Sequence, residues 1–275
     1  MHALELRPDG VPPARGRLQA VRRCDLFMRD NPGTMTLAQT EPVPAPTRTT
    51  LTVLYQDDRL VAIDKPSGLV VHRSAQVSDS VNCIALLRRQ LGRFVFAVHR
   101  LDRGASGVLV FALDREAGQI LSAAFAEHRV LKQYLALVRG YLPEAGLIDS
   151  PLADPDGAGS RPAETRFTRL ATVELPHAVR PHPTARYSLV RAEPLTGRTH
   201  QLRRHLAHIR HPIVGDVNHG DGHHNRLFRR LFGSRRLLLH ASRLSLPHPT
   251  TGNPVTIDAP LPEDLRRLFA VLGVA

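Results

Sequence analysis

Lysine is almost absent from this chain: of its 37 basic residues only Lys65 and Lys132 are lysine, and the rest are arginine. Where arginine has displaced lysine so thoroughly, the two survivors either mark places where a planar fork will not serve, or remain by chance; the residues alone leave both readings open. Tryptophan is missing, and tyrosine occurs four times. The two cysteines, Cys24 and Cys83, form neither a zinc spacing nor a disulfide framework, so a reducing compartment, the cytoplasm, is expected. No apolar run reaches the roughly 18 residues of a membrane-spanning helix, and no secretory signal is visible. HExxH, GxGxxG and GxxxxGK[ST] are all absent, which removes the common metalloprotease and nucleotide motifs. No metal and no cofactor are expected.

What is present is clustered positive charge. The chain of 275 residues carries a formal charge of +12. Between residues 186 and 243 stand twelve arginines against Glu193, Asp216 and Asp221, a net of +9 in about a fifth of the chain. A drift in coding bias explains arginine in place of lysine but not the clustering. Concentrated positive charge is the footprint of a polyanion, most often a nucleic acid.

Residues 1–48 hold scattered prolines and little periodicity, and read as a flexible extension. From residue 49 to 275 the pattern is that of one mixed α and β unit. Short strands are expected around the polar turn 56–58, then a helix from a Ser80 cap to about 89, a strand over 108–113, and a helix capped by Asp114 to about 127. Further strands are expected over 131–138, 187–192, 237–246 and 255–257, with helices over 199–209 and 262–272, and a loop over 143–159. Few strands are spaced as βαβ units. The expected class is α+β: a large, mainly antiparallel mixed sheet with flanking helices around a central cleft.

Three segments carry chemistry. In residues 98–113 one carboxylate, Asp102, follows His99 and Arg100 and precedes Arg103, on a small-residue turn between two apolar segments. A lone Asp is usually a cap or half of a surface ion pair; here it lies where core segments meet, and a carboxylate there needs a cation and hydrogen bonds. So held, it can act as nucleophile or base. Its partner is expected from residues 197–206, where Thr199 can cap a helix and Arg203, beside the apolar stripe Leu202–Leu206–Ile209, can offer a bidentate fork. Arg203 and Arg204 could equally form one solvated face. In residues 131–140, Lys132 and Tyr134 point to the same side of a strand, a pair suited to stacking on a base with a phosphate nearby; an ordinary core tyrosine is the plainer account. The fifteen histidines crowd residues 200–211 and 219–224, but acidic co-ligands are few, and an RNA-facing polar surface explains them better than a metal.

These motifs together closely resemble the RluA-type pseudouridine synthases. HRLDRGASG at 99–107 resembles that family's HRLDxxTSG signature, with Ala105 in place of the usual Thr. LKQYLALVRG at 131–140, GRTHQLRRHL at 197–206, RLLLHASRLSLPHP at 236–249 and DKPSGLVVH at 64–72 resemble its other motifs, in the family's order over about residues 50–265. The resemblance implies the pseudouridine synthase fold and an isomerase that flips a uridine out of RNA. It implies Asp102 as the catalytic aspartate, Tyr134 as the stacking tyrosine, Arg203 as the aspartate's partner and Arg100 as the residue filling the place of the flipped nucleotide. Leu239 is expected as an apolar pocket contact and Lys132 as a further substrate contact. Residues 215–230 resemble a loop of the tRNA pseudouridine-65 synthase subgroup, which points to a uridine in the acceptor-stem region of tRNA; Arg226, Arg229, Arg230, Arg235 and Arg236 would then hold backbone phosphates. The expected protein is a monomer with RNA as partner and no membrane. A 23S rRNA target is the alternative; relatives with such targets often carry an N-terminal S4-type RNA-binding domain, for which residues 1–48 are too short and irregular. An inactive RNA-binding relative is the alternative of another class.

Overall fold

The computed structural model describes residues 50–72, 81–154, 156–157, 159–179 and 181–274. The N-terminal extension and the Ser80 cap therefore lie outside the described residues. Strands β1 (Thr52–Gln56), β2 (Leu60–Lys65), β3 (Phe96–Ala97), β4 (Ser106–Ala112), β5 (Leu131–Arg139), β6 (Ala145–Asp149), β9 (Glu164–Leu175), β10 (Ala185–Pro194), β11 (Leu239–Pro247) and β12 (Pro254–Asp258) form one sheet, and β7 (Leu152–Ala153) and β8 (Ser160–Arg161) a small second one. The large sheet runs β1-β2-β4-β11-β5-β10-β9-β6, with β3 on β4 and β12 on β11. Every pairing is antiparallel except β4 with β11. The α+β, mainly antiparallel expectation holds.

Alternation along the central strands assigns the layers. Val61, Ile63, Leu109 and Phe111 pack with Cys83, Leu86 and Leu87 of helix α1 (Cys83–Leu91). Their neighbours Leu60, Ala62, Val108 and Val110 pack with Ala117, Leu121 and Ala124 of α2 (Arg115–Ala126). β4 is thus buried on both faces, the reason its sequence is an unbroken apolar run. On the other half of the sheet, Ala136, Val138, Val190 and Ala192 meet Leu202 and Leu206 of α3 (Gln201–His208). Leu137, Val173 and Tyr187 meet α4 (Gly222–Phe232) and α5 (Glu263–Val271).

The single parallel contact sits at the centre of the molecule. It pairs Ser106 and Gly107 with His240 and Ala241, immediately after the Asp102 turn. Gly107 has φ +110, and a Cβ there would lie 2.1 Å from the Ala241 carbonyl oxygen. Only glycine lets the two strands close.

The expected helix ends need correcting. α1 is capped by Asn82, whose side chain accepts from the Ala85 amide at 3.0 Å. The cap of α3 is His200 in the left-handed region, with no side-chain capping bond; Thr199 does not cap it. Asp114 caps α2 as expected, accepting from the Ala117 amide at 2.8 Å. Residues 143–159, expected as loop, contain β6 and β7. β9 was not expected at all: its alternation is broken at Leu170, which is skipped between the pairs Leu189–Ala171 and Val190–Arg169. α4 was expected as loop. Asp221 caps it by accepting from the His223 and His224 amides, and it buries His224, Leu227 and Phe228 while turning Arg226, Arg229 and Arg230 outward.

Candidate active site

The turn carrying Asp102 is anchored from below by a buried lysine. Lys65, fully buried at the end of β2, donates to three carbonyls, those of Pro66 (2.9 Å), Leu69 (2.7 Å) and Arg103 (3.2 Å). An ammonium has three N–H groups, so all are used. Burial pushes Lys65 down to about 8. The Gly68 amide also donates to the Arg103 carbonyl at 2.7 Å, and Ser67 Oγ donates to the Gly104 carbonyl at 2.7 Å. The Ala105 amide closes the turn by donating to the Asp102 carbonyl at 3.1 Å. Leu101 and Ala105 are buried on either side, so Asp102 projects from a turn fixed by main-chain bonds.

Arg203 comes from α3, on the flank of the face that buries Leu202 and Leu206. It donates one Nη1 bond to Asp102 Oδ2 at 3.1 Å. Its fork, expected on Asp102, goes to Asp216: Nε to Oδ2 at 2.7 Å and Nη2 to Oδ1 at 2.8 Å. Asp216 is buried and also accepts from the Asn218 and His219 amides, at 2.9 and 3.0 Å. Burial works to raise its carboxyl, but Arg203 and those amides hold it below the ordinary carboxylate range. Burial likewise works against the Arg203 charge, and the two carboxylates outweigh it, holding the guanidinium above its ordinary value. Asp216 escaped the reading of the sequence. Its signal was available: it is one of three acids among twelve arginines, and a buried Arg with one fully committed fork needs a dedicated carboxylate.

His200, also missed, stands on the other side of Asp102. Its left-handed backbone, φ 54, points Nε2 to within 3.8 Å of Asp102 Oδ1. Its Nδ1 lies 3.2 Å from Nε2 of His219, one ring donating and the other accepting. Burial, reinforced by the Arg203 charge, lowers both rings below the ordinary histidine value, against the pull of the carboxylates. Other histidines expected on an RNA-facing surface are interior fixtures. His205 is buried, with Nδ1 3.0 Å from Thr165 Oγ1 and Nε2 3.0 Å from the Ser150 carbonyl. His224, on α4, bonds the Tyr187 hydroxyl at 2.8 Å. Among the described residues no three His, Cys, Asp or Glu side chains are arranged to hold a metal ion.

Two cavities meet at Asp102. One, of about 380 Å³, is walled by Asp102, Tyr134, Lys132, His99, Phe125 and Leu239. The other, of about 790 Å³, opens past Arg100, Arg103, His72, Asn218 and Arg235. Arg100, Leu101, Asp102, His200 and Arg203 border both. The sheet brings Tyr134 there because β5 pairs it with Ala241 of β11 on one side and Ala192 of β10 on the other. Burial first, and the Asp102 charge second, raise the Tyr134 hydroxyl far above its ordinary value, so it stays protonated.

Asp102, Tyr134, Arg203, Arg100, Leu239 and Lys132 thus come together as expected from sequence. The five arginines do not form one group. Arg226, Arg229, Arg230 and Arg235 are exposed. Arg236 is not a free phosphate arm: it donates to Asp264 at 3.0 Å and to Ser106 Oγ at 2.5 Å.

A family model described as RNA pseudouridylate synthase matches residues 59–208. Among curated proteins, the chain is 46% identical over 230 residues to tRNA pseudouridine synthase C of Vibrio parahaemolyticus, covering 80% of this chain and 94% of that one. It is 47% identical over 234 residues to the protein of that name from Salmonella typhimurium, covering 81% and 90%. Among solved structures it is similar to human RNA Pseudouridylate Synthase Domain Containing 4, with a TM-score of 0.64 at 27% identity over 82% of this chain and 94% of that one. The human Domain Containing 1 protein matches in fold, with a TM-score of 0.64 at 24% identity over 86% and 98%.

Proposed function

Because the chain belongs to the RNA pseudouridylate synthase family, and is therefore an isomerase acting on uridine in RNA, we propose that its substrate is tRNA and its target the uridine at position 65. The observation that carries the site is Asp102, held by Arg203 at the meeting of two cavities and facing Tyr134 across the smaller one.

The reaction breaks the C1′–N1 bond, turns the uracil, and joins C5 to C1′. The base must leave its stack to reach a carboxylate this far inside, so the nucleotide is flipped. The flipped uracil lies on Tyr134, between Leu239 and Asp102. Arg100, exposed where the cavities join, occupies the place the base has left. Asp102 attacks C1′ or takes the C2′ proton; in both cases the C1′–N1 electron pair departs with the base. Arg203 holds the carboxylate toward the sugar, and Tyr134, its hydroxyl still protonated, provides the face on which the base stacks. No group outside the chain is required. The exposed arginines Arg226, Arg229, Arg230 and Arg235 bind phosphates on either side of the target.

The tRNA assignment rests on the relatives' names and on residues 215–230, of which Gly215, Asp216, Val217 and Asn218 line the second cavity. The decisive experiment has two arms. Asp102→Asn is expected to abolish pseudouridine formation while RNA binding survives; retained product would sink the assignment of Asp102. Pseudouridine mapping in a strain lacking the gene is expected to show one missing modification, in tRNA. Its loss from 23S rRNA instead would overturn the choice of RNA.

A further inference from the structure

Lys132 stands in the base cavity as an ammonium with its valences unfilled. Its Nζ donates to the Thr196 carbonyl at 2.8 Å, and among the described residues no carboxylate pairs with it. Lys65, the only other lysine, spends all three N–H groups on protein carbonyls; Lys132 spends one. Lys132 lines the cavity that Phe125 and Leu239 also wall, and among the described residues two of its donors have no protein acceptor. A ligand that enters the cavity can supply one. Desolvation lowers Lys132 to about 8, so at neutral pH it is still mostly the charged donor.

The neighbouring ring adds direction. His99 Nε2 accepts from the Val110 amide at 2.9 Å, and burial pushes this ring down to about 3. It is therefore neutral, stacked on Phe125 at 4.5 Å between centroids, and is no counter-ion for Lys132. Tyr134 lies two residues along β5 on the same side, about 7 Å away by strand geometry. A pyrimidine stacked on Tyr134 spans that distance with an exocyclic carbonyl.

We propose that Lys132 hydrogen-bonds an exocyclic carbonyl oxygen of the flipped uracil and stabilises the charge that gathers there when the C1′–N1 bond breaks. The electron pair of that bond leaves with the ring and is delocalised onto its carbonyl oxygens. When C5 joins C1′, the pair forms the new bond, the C5 proton is released to water and N1 takes one from water, so the reaction remains an isomerisation. Lys132 neither gains nor loses a proton. A spherical, desolvated ammonium suits one carbonyl oxygen better than a planar fork. If the contacted oxygen is that at position 4, where cytosine presents an amine, the same contact favours uridine.

This assignment rests on the reading of the cavity as the uracil site. Its test is a chemical double-mutant cycle in single-turnover pseudouridine formation. Target RNA carries uridine, 2-thiouridine or 4-thiouridine at the modified position, sulfur being a weak acceptor. The wild-type chain is expected to lose roughly tenfold in rate on one thio substrate, the value of one hydrogen bond to a charged group. Lys132→Met is expected to be about 10²-fold slower on uridine and to show no further loss on that thio substrate. Lys132→Gln, which keeps a donor without the charge, is expected to fall between them. Because the cycle compares substrates within one variant, a partly folded preparation does not disturb it. The same thio penalty in wild type and Lys132→Met, or no penalty in the wild type, overturns the assignment. A wild-type chain that forms no pseudouridine in any RNA overturns the reading of the cavity, and this assignment with it.

Discussion

Arg203 gives its fork to Asp216 and a single N–H to Asp102. Asp102 is thus the lesser partner of its own cation. An arginine anchored elsewhere touches Asp102 Oδ2 from a fixed position, and the other oxygen, Oδ1, has only the His200 ring near it, at 3.8 Å.

Asp216→Ala should therefore damage more than the loop it sits in. It leaves a buried guanidinium with one weak partner, and a loss of about 3–5 kcal/mol is expected in urea denaturation at neutral pH. Because the folded Asp216 carboxyl lies below its ordinary range, its contribution is present above the unfolded value near ~3.9 and fades as pH falls through the folded one. The gap between wild type and variant should narrow below about pH 4. A gap that stays constant would contradict the pairing.

Arg236 and the arginines of α4 should separate in two assays. Arg236 donates to Ser106 Oγ; the Ala259 carbonyl, 3.3 Å from His240 Nε2, can only accept, so the neutral ring carries its proton on Nε2 and Nδ1 accepts from the Ser106 hydroxyl at 2.9 Å. This series of bonds braces the strand that follows the Asp102 turn. Arg236→Ala is expected to lower stability by about 1–3 kcal/mol and to leave the salt dependence of RNA binding unchanged. Arg229→Ala and Arg230→Ala should leave stability within about 0.5 kcal/mol and each reduce the salt slope by roughly 0.7–0.9.

Two glycines with positive φ should respond differently to alanine. At Gly68, φ +89, nothing lies within 4 Å of the new Cβ; at Gly107, φ +110, the Ala241 carbonyl oxygen lies 2.1 Å from it. Gly68→Ala is expected to cost about 1 kcal/mol, the backbone penalty alone. Gly107→Ala must part β4 from β11, and little soluble protein is expected. A soluble Gly107→Ala protein of near-normal melting temperature would refute the account of the parallel seam.

Acid should unfold this protein early. His99, His205, His224 and His240 are all lowered, chiefly by burial. A histidine whose folded value is depressed contributes fully above its unfolded value near ~6.5, and that contribution is lost as pH falls below it. Each adds up to about 1.4 kcal/mol per pH unit to the slope of stability against pH. His99→Gln should remove close to one proton from the uptake measured on unfolding near pH 5.

The candidate site was legible in the sequence to the extent that its residues sit inside ordered motifs and line one cavity, and β-strand alternation puts Lys132 beside Tyr134 without further information. The apolar run of β4 and the Asp114 cap declared themselves for the same local reasons. What the sequence hid were relationships set by long-range contacts. The scarcity of acids among the arginines marks Asp216 as a partner for one of them, but does not say that Arg203 gives it the fork in preference to Asp102, which only the folded contacts decide. The Leu170 bulge erased the alternation that would have revealed β9. The histidines misled because composition reports their number and not their burial: His205 and His224 looked like surface and are interior hydrogen-bonding groups.

The scarcity of lysine has a practical consequence for the folded molecule. With Lys65 sealed against three carbonyls and Lys132 inside the base cavity, reagents that acylate ε-amines have no surface target among the lysines. Any lysine adduct formed on the native chain reports the state of one chamber. Acylation of Lys132, and its suppression by bound RNA, then serves as an occupancy gauge that needs no label engineered into the protein.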